Sequence, residues 1–273
     1  MSNHPRPSPP SSVYDRDYYL RSCEGSAEYQ ETAGALLTEP RRRTLEAAGE
    51  RVQGARVLDL GCGRGELLMA TARLGAASVV GVDFSPDALG LSASVLQRPE
   101  NREVSRCVAL IRADARCLPL ASNSFDLILS TDLIEHLIPP EVDRMLAELH
   151  RVLRPGGTLV LHTFPNRWWQ RYGYYIFYAL SPTHRHHYGT LDARTATADP
   201  THVNEQSPIS LARVLRQAGF RATVRTDDFN LAPLSPVKRV ALKLLTGTWP
   251  LRLFCANHLF AQAVRTEARS TSR

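Results

Sequence analysis

The stretch that decides the fold is Val57-Leu-Asp-Leu-Gly-Cys-Gly-Arg-Gly-Glu-Leu-Leu68. A short apolar run, Arg56 to Leu60, leads into three glycines at alternate positions, Gly61, Gly63 and Gly65, and a helical pattern begins at once with Glu66. Glycine permits a tight turn and close approach of a ligand to the backbone. The helix that follows presents free N–H groups at its start. A second apolar run, Ser78 to Val82, ends at Asp83, 22 residues after Gly61. A carboxylate at the tip of a second strand suits the two hydroxyls of a ribose. The competing reading is a helix cap, but Ser85, followed by Pro86, is better placed for that, which leaves Asp83 free to bind.

Outward from this unit the same alternation continues. Strands are predicted at 56–60, 78–82, 108–112, 125–131 and 157–163, with helices at 66–74, 86–96 and 141–153. In the last helix Val142, Met145, Leu146, Leu149, Val152 and Leu153 recur at helical spacing, between Pro139-Pro140 and Pro155-Gly156. Continuous apolar strands separated by helices indicate a parallel sheet covered on both faces. Ser207-Pro208 opens a further helix that ends at Gly219, followed by strands at 221–226 and 257–264 and a helix at 237–245 between them. Residues 14–50 read as helical with a break near Pro40, and Arg41 to Arg43 as a solvated helical face. Residues 1–12, rich in proline and serine, read as a disordered tail. The domain plan is therefore a tail (1–12), a helical cap (13–50), a main domain (51–266) carrying an insertion at 165–207, and a short tail (267–273).

The ligand of the glycine turn follows from what is missing. A dinucleotide fingerprint needs a third glycine where this chain has Glu66, and a carboxylate there opposes a pyrophosphate. A nucleoside without phosphates fits better, and S-adenosylmethionine is one. At this point the chain resembles the class I S-adenosylmethionine-dependent methyltransferases. The resemblance covers roughly residues 57–220 and rests on four motifs in combination: VLDLGCGRG; GVDFSPDAL, Gly81 to Leu89; RADARCLPLASNSFDLILSTDLIEHL, Arg112 to Leu137; and LRPGGTLVLHTFPN, Leu153 to Asn166. It implies an α/β, Rossmann-like, doubly wound and mostly parallel seven-stranded sheet with an antiparallel last strand, an N-terminal helical cap and a lid-like insertion after the fifth strand. It also implies that Asp59, Gly61, Cys62 and Gly63 line the methionine part of S-adenosylmethionine. Asp83 then takes the ribose, Phe84 lies beside the adenine, Asp114 and Ala115 bond it, and Thr131 lies near the methyl group.

Candidate bases for an oxygen acceptor are His136, His162, His184, His186, His187, His202 and Glu135, and two stand out: His136, after the fourth strand, and His202, which opens HVNEQSP before the capped helix. Each has a structural alternative, as a packing or capping histidine and as a loop hydrogen bond respectively. The group His184, His186 and His187 has no clean metal-ligand spacing, and no metal is expected. The run NRWWQRYGYYIFYAL, Asn166 to Leu180, reads as core packing of an inserted helix, a lid over the acceptor, or an interfacial helix touching lipid.

Composition narrows the rest. The 273 residues carry 33 basic and 27 acidic side chains, net +6, and only Lys238 and Lys243 are lysines. A modest, arginine-biased surplus spread along the chain is no nucleic-acid footprint. The Asn-Pro-Pro-Tyr signature of amino-methylating nucleic-acid enzymes is absent after the fourth strand, where Thr131-Asp132-Leu133-Ile134 stands. Five dispersed cysteines without a CxxC imply neither disulfides nor a zinc knuckle. No run approaches the ~20 apolar residues of a membrane span, and the N-terminus lacks a signal-peptide core, so a cytoplasmic protein is expected. The reading is a methyltransferase acting on a small molecule at oxygen: a natural product, a sugar or a lipid-linked intermediate. An N-methyltransferase of amines or proteins, a non-catalytic cofactor-binding module and a nicotinamide-dependent oxidoreductase remain as alternatives.

Overall fold

The computed structural model describes residues 7–32, 34–180, 199–227 and 247–266, with single positions at 190, 192, 237, 240 and 244. The predicted helix at 237–245, the histidine group 184–187 and the tail 267–273 fall largely or wholly outside the described residues. Seven strands form one sheet: β1 (Arg56–Leu60), β2 (Ser78–Asp83), β3 (Val108–Arg112), β4 (Phe125–Thr131), β5 (Leu153–Thr163), β6 (Phe220–Asp227) and β7 (His258–Arg265). Their order is β3-β2-β1-β4-β5-β7-β6. The first five are parallel, and β7 runs antiparallel between β5 and β6. This is the Rossmann-like, mostly parallel sheet with an antiparallel last strand that the motifs imply.

The central strands have apolar side chains on both faces because helices cover both. Leu58, Leu60 and Ile128 join one core with Met145, Leu149, Leu211 and Leu215. The alternate positions Val57, Leu127, Leu129 and Val160 join a second core with Leu67, Met69 and Val95. The covering helices are α1 (Ser26–Thr32), α2 (Glu39–Ala48), α3 (Glu66–Arg73), α4 (Pro86–Leu96), α5 (Pro139–Val152), α6 (Tyr174–Leu180), α7 (Pro208–Gln217) and the short α8 (Arg252–Cys255). Their starts are local chemistry. Ser85 Oγ accepts the Ala88 N–H and proline follows at the first helical position. Ser207 and Ser210 exchange hydroxyl and backbone bonds at the start of α7.

β5 begins four residues earlier than the sequence pattern suggests. Leu153 pairs with Phe125 and Thr158 with Leu127, so Arg154 to Gly157 form a bulge that the Pro-Gly-Gly composition hides.

Described residues between 8 and 26 line the cavity at the C-terminal ends of the strands, and α2 packs against the sheet beside β4 and β5. Ser11–Val13 form a 3-10 turn and Tyr18–Ser22 a π-helical turn, ahead of α1 and α2. Arg64 is the anchor. Its guanidinium is fully buried and donates to the Tyr19 and Glu24 carbonyls at 2.7 Å and to Glu66 at 2.8 Å. This corrects the reading of Glu66 as a residue that faces the ligand: it is buried, paired with Arg64, and absent from the cavity wall. Arg41 is corrected as well. It is buried on the cavity wall, whereas Arg42 and Arg43 pair with Glu39 on the exposed side of α2.

Arg64→Ala leaves Glu66 buried without its partner and frees two carbonyls. It is expected to cost about 3–5 kcal/mol, the usual range for breaking a buried pair. Urea unfolding checks the loss, and limited proteolysis around Tyr18 to Glu24 checks the release of the cap.

Candidate functional site

The site is built where β1 and β2 end. Gly61 and Gly63 have left-handed φ values of 74° and 52°, a region that disfavours side chains. The Gly61 and Cys62 N–H groups donate to the Val82 carbonyl at 2.8 and 3.1 Å, which ties the turn to β2. Asp83 completes the tie. One carboxylate oxygen accepts the Gly63 N–H at 3.0 Å and the other the Ser85 N–H at 2.9 Å, with the Tyr19 ring beside Gly63. Gly65 serves packing: a Cβ there would lie 2.8 Å from Ser92 Oγ on α4.

Over this turn opens a cavity of about 870 Å³, within the size range of small-molecule sites. Its wall includes Gly61, Gly63, Asp83, Phe84, Asp114, Ala115, Thr131, His136 and His202, so the structure brings together nine of the eleven site residues singled out in the sequence. Asp59 and Cys62 are not on the wall. Cys62 Sγ lies beneath β2, 3.0 Å from where a Cβ on Gly81 would be. Asp59 is buried beneath the turn with one carboxylate oxygen lacking a hydrogen bond. Burial raises its carboxyl to about 7 against the pull of Arg41.

Two carboxylates are more occupied than the sequence suggests. Asp83 is not free but holds two backbone donors, with lone pairs remaining for a ligand at the rim. Asp114 is held by the Arg116 guanidinium at 2.5–2.9 Å, and that hydrogen-bonded pair keeps its carboxyl below the usual range. Arg116 reaches on to Glu141.

The opposite end of the cavity is aromatic and histidine-rich. His136 Nδ1 lies 3.1 Å from the Thr201 carbonyl, which only accepts, so Nδ1 carries the proton and Nε2 keeps the lone pair. The Tyr14 hydroxyl sits 3.0 Å from the same nitrogen. His202 packs edge-on against His136 at 4.8 Å and against Phe164 at 5.7 Å, and its Nδ1 has no hydrogen-bond partner. Burial lowers both imidazoles, His136 to about 4. Glu135 accepts the Thr163 hydroxyl at 2.7 Å and leaves its other oxygen without a partner. Ligand atoms of Glu135, His136 and His202 lie within 4.8 Å of one another, a group able to hold a metal ion that the sequence pattern does not reveal.

From Asp132 on this wall a buried polar chain runs inward. Asp132 has a left-handed φ of 53°, and its carboxylate lies 2.8 Å from His162 Nδ1. His162 Nε2 in turn lies 3.0 Å from His258 Nδ1. His162 holds the Asp132 carboxyl down at about 2 despite burial. Sequence reasoning names His162 only as one candidate base and misses the chain, because its members lie far apart along the sequence. It also missed the wall supplied by the cap, namely Tyr14, Tyr18, Tyr19 and Glu24. The tyrosine cluster between Tyr14 and Tyr19 was the available signal.

Comparison with known proteins gives the family. A methyltransferase-domain family matches residues 58–161. A demethylmenaquinone methyltransferase of Thermus thermophilus is 36% identical over 46% of this chain and 54% of its own length. A phosphatidylethanolamine N-methyltransferase of Cereibacter sphaeroides is 33% identical over 53% of this chain and 67% of its own. A ubiquinone biosynthesis O-methyltransferase of Agrobacterium fabrum is 30% identical over 67% of this chain and 69% of its own. The matches thus span from about half to two thirds of these relatives. In fold, an S-adenosylmethionine-dependent methyltransferase from Mesorhizobium loti superposes with a TM-score of 0.55 at 21% identity, over 82% of this chain and 96% of that one. The chain belongs to the class I S-adenosylmethionine-dependent methyltransferases.

Its cofactor is S-adenosylmethionine, and the residues present fit that group. The side-chain-free Gly61 and Gly63 form a cradle on the cavity wall, and a Cβ on Gly61 would meet Leu133 at 3.4 Å. The wall carboxylate Asp83 supplies an acceptor beside that cradle.

Asp83→Ala is expected to weaken S-adenosylmethionine binding by about 1.5–3 kcal/mol, the worth of charge-assisted hydrogen bonds. Titration calorimetry checks it, and an unchanged affinity would place the ribose elsewhere. A second expectation concerns pH. Burial and the neighbouring His162 lower His258 to about 3, whereas an unfolded histidine titrates near ~6.5. The unfolded chain therefore binds the proton first, and stability is lost as pH falls from about 6.5 toward 3. His258→Gln should flatten that loss, read as urea midpoints of variant and parent at neutral and acidic pH.

Proposed function

We propose that this chain transfers a methyl group from S-adenosylmethionine to a hydroxyl of an apolar small molecule held against the histidine end of the cavity. Bound S-adenosylmethionine supplies an electrophilic methyl group on a sulfonium. The protein's part is alignment, exclusion of water and handling of the acceptor's proton. On this reading Gly61, Gly63 and Asp83 hold the cofactor, with Phe84, Asp114 and Ala115 at the adenine end and Thr131 near the reacting methyl.

The observation that carries the oxygen assignment is His202. It lines the cavity beside Phe164, burial keeps it neutral, and its Nδ1 has no partner. A neutral imidazole next to an apolar surface can accept the hydrogen of a hydroxyl, orient it and take its proton. His136 stands beside it with its tautomer set by Thr201, as a second contact for the acceptor oxygen. The ubiquinone-biosynthesis relative, an O-methyltransferase by name, supports the same reading. The phosphatidylethanolamine relative favours a second one, transfer to an amine. An amine needs only to arrive neutral, and the wall would then serve shape alone.

The test is incubation with methyl-labelled S-adenosylmethionine and a panel of apolar phenols and hydroquinols, simple sugars and phosphatidylethanolamine. Label on phenolic oxygen is the expected result. His202→Ala should lower that turnover by about 100-fold, the usual contribution of a general base, with cofactor affinity unchanged. Label on the ethanolamine nitrogen would overturn the oxygen assignment in favour of the amine reading.

A further inference from the structure

The insertion that leaves β5 carries apolar side chains on both of its faces. Trp169, Gly173, Tyr174 and Phe177 are buried, while Tyr172, Tyr175 and Ile176 are exposed. A helix on a protein surface ordinarily turns charged residues outward. This one has no acidic residue from Asn166 to Leu180, and its charges are Arg167 and Arg171.

A second segment packs against it and has the same character. The Trp168 ring stacks on Phe254 at 5.0 Å, and Tyr172 meets that ring edge-on at 5.7 Å. The Phe254 carbonyl is so close that a Cβ on Gly173 would lie 2.1 Å from it. Beside this contact Trp249 is 75% exposed and Leu251 is exposed. Earlier in the same stretch Val237, Val240 and Leu244 are exposed at helical spacing. From Phe229 to Ala256 no acidic residue occurs, while Lys238, Arg239, Lys243 and Arg252 do. Two segments far apart in sequence thus share one composition: aromatic and aliphatic groups in water, basic residues among them, and no carboxylates.

That combination matches one partner. Tryptophan and tyrosine favour the boundary between headgroups and acyl chains, and basic residues are drawn to anionic lipid. No helix among the described residues is long and apolar enough to cross a membrane, so the contact is with a surface. The face is also continuous with the site. Phe164 forms part of the cavity wall, and two residues on, Asn166 donates to the Leu253 and Ala256 carbonyls and so joins the insertion to the second segment.

We propose that the face formed by the 166–180 insertion and the 249–255 segment docks on the surface of an anionic phospholipid bilayer and sets the acceptor end of the cavity beside the lipid. Docking is independent of whether oxygen or nitrogen receives the methyl group, so it stands or falls apart from the function proposed above.

The test is co-sedimentation of the full chain with phosphatidylcholine vesicles, with and without phosphatidylglycerol. Binding should require phosphatidylglycerol and weaken as salt is raised. The double variant Tyr175→Glu, Trp249→Glu should lower it by about tenfold or more, with S-adenosylmethionine affinity and melting temperature unchanged. Trp249 emission should shift to the blue on binding, and the shift should vanish in Trp249→Phe. Equal binding to neutral vesicles, binding unaffected by the double variant, or no sedimentation with either vesicle would overturn the proposal. So would a concentration-dependent dimer abolished by the same variant, which would make the face a protein interface.

Discussion

Everything at the ligand end of this molecule hangs on the carboxylate of Asp83. It accepts N–H groups from Gly63 and Ser85 and so clamps the turn after β1 to the turn after β2. Ser85, held in place by that bond, caps α4 and donates its hydroxyl to the Tyr14 carbonyl. Tyr14 in turn reaches His136. A single buried acid therefore connects the glycine turn, the second strand, the cap and the acceptor wall. The cost of burying it, seen in its raised carboxyl, is offset by the donors that surround it. The same arrangement explains why a substitution there acts on structure and ligand together.

The parallel half of the sheet was legible because local signals agree with one another. Val57 to Leu60 and Leu127 to Leu129 are apolar at nearly every position, as strands covered on both faces must be. Glycines and prolines mark the ends of each unit. The cofactor end was legible for a related reason: its residues sit within a few positions of strand tips, so the order of the strands places them. Glu66 shows where this reasoning misled. Its position in the motif suggested a ligand-facing carboxylate, but the turn rotates it toward Arg64.

The acceptor end was only half legible. His136 and His202 lie next to recognisable elements, and the structure does set them side by side. Asp132, His162 and His258 gave no such signal as a group. They converge because β5 pairs with β7 in one register, a contact between residues nearly a hundred positions apart. The cap's contribution was hidden for another reason. Tyr14 to Glu24 form short, irregular turns whose hydroxyls and carbonyls are satisfied by Arg64 and His136 rather than by one another.

The cap has a kinetic meaning as well as an architectural one. Tyr19 stands at Gly63 and Asp83, the nucleoside end, while Tyr14 stands at His136, the acceptor end. One segment of chain thus walls both compartments, so neither ligand can exchange without disturbing the boundary of the other. Occupancy of the first compartment then shapes the second. Arg64, which anchors that segment, thereby holds both walls at once.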